Sequence, residues 1–124
     1  MAGYLNQIRF HDIAVANLEY SLAWYHSFLG FEVRSKNDQI GVLSLGRGPD
    51  LILTAPDFRS SMGKLSMDER AVPIIGFETH QIDEFYRFLR SKGVPVTPLR
   101  DEYIGRYFGF IDPDGNMYSV LKGN

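Results

Sequence analysis

Hydrophobic positions along this chain recur with one period, then another, and the whole succession is then repeated. The stretch "IRFHDIAV" reads as a strand, and Asn17 has the chemistry of a helix N-cap. Leu18, Leu22, Tyr25 and Leu29 then recur at helical spacing, until Gly30 stands where a left-handed residue stops a helix. "FEVRSK" and "QIGVLSLG" follow as strands joined by a two-residue link, Asn37-Asp38, suited to a tight hairpin, and "GRGPD" separates them from "LILTA". The predicted order is β-α-β-β-β. From Pro56 to Ala71 periodicity lapses, and Ser60, Ser61, Gly63 and mixed charge predict a linker or covering loop.

After that break the pattern restarts. "VPIIGFET" is a predicted strand, Ile82, Phe85, Tyr86 and Leu89 make a second apolar helix face, and Gly93 ends it as Gly30 ended the first. "VPVTPL", "GRYFGFI" and "NMYSVLKG" are three further strands, the last two divided by the turn "DPDG". The chain therefore reads as an α+β protein of two βαβββ modules within a single domain, 1–124. Module one spans about 6–56, the linker about 57–71 and module two about 72–124. A sheet covered by a helix on one face leaves its other face to be filled by the second module, another chain or a ligand.

Composition narrows the function. Thirteen basic and 15 acidic residues are mixed along the chain, for a formal charge of −2, so no basic stripe exists to track phosphates and nucleic acid is not an expected partner. Cysteine is absent, which removes disulfides, thiolate nucleophiles and thiolate-bound metals. The opening "MAGYLNQIRF" lacks the apolar run of a signal peptide, and no apolar stretch has the ~18 residues of a membrane span. The expectation is a cytoplasmic protein with no membrane partner.

"HDIAVANLEYSLAWYHSFLGFEV" followed by "FIDPDGNMYSVL" resembles the vicinal oxygen chelate superfamily, the glyoxalase, bleomycin resistance protein and extradiol dioxygenase family. The resemblance rests on the opening strand, on Trp24-Tyr25 and Leu29-Gly30-Phe31, and on the turn from Asp112 to Gly115, and it covers nearly the whole chain. It implies paired βαβββ modules around a U-shaped cavity, commonly in a homodimer, and in its enzymes one divalent metal held by His and Glu from strands of both modules. The positions it assigns to those ligands are Phe10, Ile52, Ile74 and Ser119 in this chain. None is an imidazole or a carboxylate, and a divalent ion needs several nitrogen or oxygen donors together. No metal and no other cofactor is therefore expected.

His11 lies one residue past the first ligand position, and in a strand one residue is enough to turn a side chain to the opposite face. Asp12 shares the parity of Phe10, and Glu78 that of Ile74, so both acids are candidates to meet a ligand. Tyr103, in "RDEYIG", is a candidate lid over the cavity mouth. Phe108 and Phe110 take a face that the sequence leaves open, and Arg59 and Arg70 flank the linker as candidates for an anionic group. The expected binding set is thus Phe10, Asp12, Ile52, Ile74, Glu78, Tyr103 and Ser119, with no catalytic residue assigned. The function read from it is metal-independent binding or sequestration of a small aromatic or amphipathic molecule by a homodimer. The alternative is a lyase, isomerase or dioxygenase with a displaced metal site built from His11, Asp12, Glu78 or His80, and a structural or partner-binding module is a third reading.

Overall fold

The computed structural model describes residues 3–56 and 75–123. The chain divides into two compact units, Met1–Ser66 and Met67–Asn124. In the first, β1 (Phe10–Ala14) leads into α1 (Leu18–Leu29), followed by β2 (Glu32–Lys36), β3 (Ile40–Ser44) and β4 (Asp50–Thr54). In the second, β5 (Ile75–Glu78) leads into α2 (Ile82–Ser91), then β6 (Arg100–Glu102), β7 (Gly105–Ile111) and β8 (Met117–Gly123). The sheets have orders β1-β4-β3-β2 and β5-β8-β7-β6, so the same topology occurs twice. In each, the first strand lies parallel to the last and the remaining pairs are antiparallel.

The ends of α1 follow from two residues. Asn17 is extended, and its side chain accepts the Tyr20 N–H at 3.0 Å, satisfying one of the amides that a helix start leaves without a partner. Gly30, at φ 81°, turns the chain so that its own N–H reaches the His26 carbonyl and the Phe31 N–H reaches that of Tyr25. Gly93, at φ 78°, does the same work after α2, where the Val94 N–H returns to the Leu89 carbonyl. Asp83 and Glu84 in the first turn of α2 complement its positive end, which has no side-chain cap.

Each helix buries one face against its sheet. In unit one Leu22 and Tyr25 of α1 join Val15, Phe31, Leu43, Leu51 and Leu53 in the core. Gly41 allows the close approach of helix and sheet: a Cβ there would stand 2.5 Å from Leu22 Cδ2. In unit two Ile82 and Leu89 of α2 are buried with Phe108, Phe110, Tyr118 and Val120. Phe85 lies against both Phe108 and Phe110, and Tyr86 meets Phe108 edge-on at 5.2 Å between ring centroids. Such pairs contribute about 0.5–1.5 kcal/mol each beyond their buried area. Arg106 of β7 ties the layers at the rim, donating to Asp83 of α2 at 3.0 and 3.1 Å and to Asp101 of β6 at 3.1 Å. Those bonds, Asp101 first and Asp83 second, raise the guanidinium pKa above its ordinary value.

Three sequence expectations need correction or completion. The β2–β3 turn is tight but lies one residue later than Asn37-Asp38: the Asn37 N–H donates to the Ile40 carbonyl at 2.9 Å, leaving Asp38 and Gln39 at the tip, and the Asn37 side chain accepts the Gln39 and Ile40 amides at 2.7 and 2.9 Å. "VPVTPL" is not a strand. Pro95 and Pro98 have no N–H to give a ladder, and the stretch makes one isolated bridge, Val96 to Phe110, with the pairing strand starting later at Arg100. Phe108 and Phe110 face α2.

The "DPDG" turn is held by a buried carboxylate. Asp112, 3% exposed, accepts the Asp114 and Asn116 backbone N–H groups through Oδ1 at 2.9 and 2.8 Å, and the Asn116 side-chain amide through Oδ2 at 2.8 Å. Gly115 has φ 83°, and its N–H returns to the Asp112 carbonyl. This closure sets Ile111 opposite Met117, which fixes the β7–β8 register and hence the face taken by every residue of β8.

Candidate functional site

Each sheet has one helix-covered face and one open face, and the strand registers assign side chains to them. In unit one Phe10 pairs with Asp50, Asp12 with Ile52, and Ile52 with Val42 of β3. These residues share the open face. Phe10 is 45% exposed, Asp12 is exposed, and Ile52 and Val42 are half-buried. His11 pairs with Leu51 and Ile13 with Leu53, so these alternate to the covered face, where Leu51 and Leu53 are buried. The structure therefore brings Phe10, Asp12 and Ile52 together and turns His11 away from them.

In unit two Ser119 of β8 lies between Gly76 of β5 and Gly109 of β7. The central row of that open face thus has almost no side chain, apart from the Ser119 hydroxyl. One row further, Glu78, Leu121 and Tyr107 lie side by side, and beyond the glycines on the other side stand Met117 and Ile111. Gly109 is anchored by its N–H, which donates to Thr97 Oγ1 at 2.7 Å. The result is a shallow trough bordered by one carboxylate, exposed at Gly76 and closed over Gly109, where a Cβ would stand 3.7 Å from Met117 Cε. Gly76 and Gly109 form its floor and Tyr107 and Met117 flank it, and none of the four belongs to the expected binding set. Counting alternate residues back from the "DPDG" closure would have found Gly109 and Tyr107, and counting forward from it Met117.

The other expected residues are dispersed. Tyr103 occupies the two-residue turn between β6 and β7, where Glu102 pairs with Gly105, and is 96% exposed. His80 is exposed in the link between β5 and α2. Ile74, Arg59 and Arg70 lie outside the described residues.

The donor set at the described ligand positions does not fit a divalent metal. Phe10 and Ile52 offer no donor atom, and Ser119 offers a neutral hydroxyl flanked by glycines. Among the described residues no three His, Asp or Glu side chains are grouped to hold an ion. Also among them, no helix is long and apolar enough to cross a membrane.

Residues 4–120 match the model of the Glyoxalase/Bleomycin resistance protein/Dioxygenase superfamily. Among solved structures the chain resembles TnmS3, an antibiotic binding protein from Streptomyces, with TM-score 0.81 and 18% identity over 99% of this chain and 100% of that one. It also resembles lactoylglutathione lyase from Agrobacterium tumefaciens, with TM-score 0.74 and 21% identity over 96% and 95% of the two chains. A superfamily member from Sphaerobacter thermophilus gives TM-score 0.73 and 25% identity over 95% and 98%. No curated protein matches the sequence.

Proposed function

Because the chain belongs to the Glyoxalase/Bleomycin resistance protein/Dioxygenase superfamily, we propose that it takes up a small aromatic or amphipathic molecule on its open sheet faces without a metal ion, and acts by sequestering or carrying it. The observation that carries this reading is the chemistry of the open faces. Where the resemblance puts metal ligands, Phe10, Ile52 and Ser119 leave apolar surface and a trough. Apolar surface of that kind favours a flat ring by desolvation, at about 25 cal/mol per Å² removed from water before the cost of ordering the partners. Asp12 and Glu78 border the two faces with negative charge and favour a cationic or hydrogen-bond-donating group. The antibiotic binding relative supplies the precedent for binding, and the lyase relative the precedent for catalysis. The same reading makes the protein a cytoplasmic homodimer.

Native mass spectrometry of protein purified without chelator tests all of it together. The expected spectrum shows a dimer mass, no stoichiometric metal and saturable uptake of a planar aromatic compound. One equivalent of zinc, nickel, iron or manganese, lost on replacing His11, would overturn the reading in favour of a metal-dependent enzyme.

A further inference from the structure

Adjoining the open face of unit one, which it meets at Asp50, is a polar hollow of about 260 Å³ whose lining includes Arg9, Arg34, Ser44, Gly46, Gly48 and Asp50. We infer that this hollow binds a small oxyanion, a carboxylate in preference to a phosphate, held between the guanidinium groups of Arg9 and Arg34.

Three features build the site. The pairing of β2 with β3 steps from Val33–Leu43 directly to Ser35–Val42, so Arg34 is the extra residue of a β-bulge. A bulge releases a side chain from strict alternation and re-aims it. On the neighbouring wall the Asp50 N–H donates to the Arg9 carbonyl at 3.0 Å, which fixes the segment bearing Arg9 against the start of β4. The β3–β4 loop closes the third side. Gly46 and Gly48 have φ 90° and 74°, and Ser44 Oγ accepts the Gly46 N–H at 2.9 Å, leaving the hydroxyl's own proton to donate.

Charge identifies the ligand. Two guanidiniums and one carboxylate line the hollow, and among the described residues neither arginine side chain is engaged in an ion pair or hydrogen bond. A guanidinium presents paired N–H donors that match the two oxygens of a planar oxyanion. Asp50 opposes a second negative charge on the same ligand, which favours a monoanionic carboxylate over dianionic phosphate. A hydroxyl beside that carboxylate would meet Asp50 as a donor.

The inference does not depend on the reading of the open faces, and a ¹⁵N NMR titration at constant ionic strength tests it with glycolate, inorganic phosphate and chloride. Glycolate is expected to give saturable shifts confined to the Gly46, Gly48 and Asp50 amides and the Arg9 and Arg34 Nε–H groups. Arg34→Gln and Arg9→Gln should each weaken it about tenfold or more, the loss of one charge-assisted bond. Arg47→Gln, in the same loop but outside the lining, should leave the affinity unchanged, and the dispersion of each spectrum reports that the variant is folded. Linear shifts equal to those of chloride, or saturation unaltered in both lining variants, would overturn the site. Saturation by phosphate with no response to glycolate would overturn its assignment to carboxylates.

Discussion

Replacing Asp112 with alanine should cost more stability than a typical surface substitution, by an amount the turn geometry sets. The carboxylate is nearly fully buried and accepts two backbone N–H groups and one side-chain amide, all between 2.8 and 2.9 Å. Alanine removes the acceptor but not the donors, and each buried donor left without a partner costs about 1–3 kcal/mol. Water reaching the vacated space relieves part of this, so the expected loss is about 2–4 kcal/mol. For a chain of this length that is a fall in Tm of roughly 8–15 °C. Asparagine separates the causes. It keeps an oxygen for the two backbone amides but sets an NH₂ group against that of Asn116, so its cost should lie between, at about 1–2 kcal/mol. Thermal and urea unfolding of the three proteins gives the ranking. A fall below about 3 °C for Asp112→Ala, or equal losses for Ala and Asn, would refute the claim that the accepted backbone bonds hold this turn.

Two further predictions follow from the geometry. Gly105→Ala should cost more than about 2 kcal/mol, since at φ 141° an added Cβ would overlap the Lys122 carbonyl oxygen, whereas Gly30→Ala, at φ 81° in open space, should cost about 1 kcal/mol; urea unfolding that reverses this order would show that the β7–β8 clearance is misjudged. In an Arg9→Gln/Arg34→Gln background, which removes both guanidiniums from the polar hollow, cationic aromatic compounds should raise Tm more than matched neutral or anionic ones, and Asp12→Asn with Glu78→Gln should erase that advantage. Anionic compounds stabilising best in that background would refute the role given to these acids.

Much of the site was legible wherever a single period governed a strand. The parity argument put Phe10 with Asp12 and opposite His11, and the register of β1 on β4 has that arrangement. It worked because one face of the sheet is buried, so a slip of one residue would expose Ile13 and Leu53. What escaped were interruptions of the period. The bulge at Arg34 belongs to the pairing of two strands and cannot be seen in either alone. The delayed start of β6 reflects Pro95 and Pro98, whose missing N–H groups outweigh the β-propensity of the valines beside them. The trough around Ser119 needed the β5–β8 and β7–β8 registers together, because Gly76 and Gly109 gain meaning only as neighbours of the same residue.

The strand order has a consequence for behaviour at high concentration. An edge strand offers a row of backbone donors and acceptors on which a foreign strand can nucleate, and long, flat, uncharged edges are the ones that seed fibres. One edge of the first sheet is β2, exposed throughout, bulged, and bearing Glu32, Arg34 and Lys36. The corresponding edge of the second is β6, three residues long and all charged: Arg100, Asp101 and Glu102. A strand docking there would have to desolvate those charges and follow a kinked or very short template. At these two edges, then, the chain resists end-on polymerisation, even though its open faces leave apolar surface within reach of solvent.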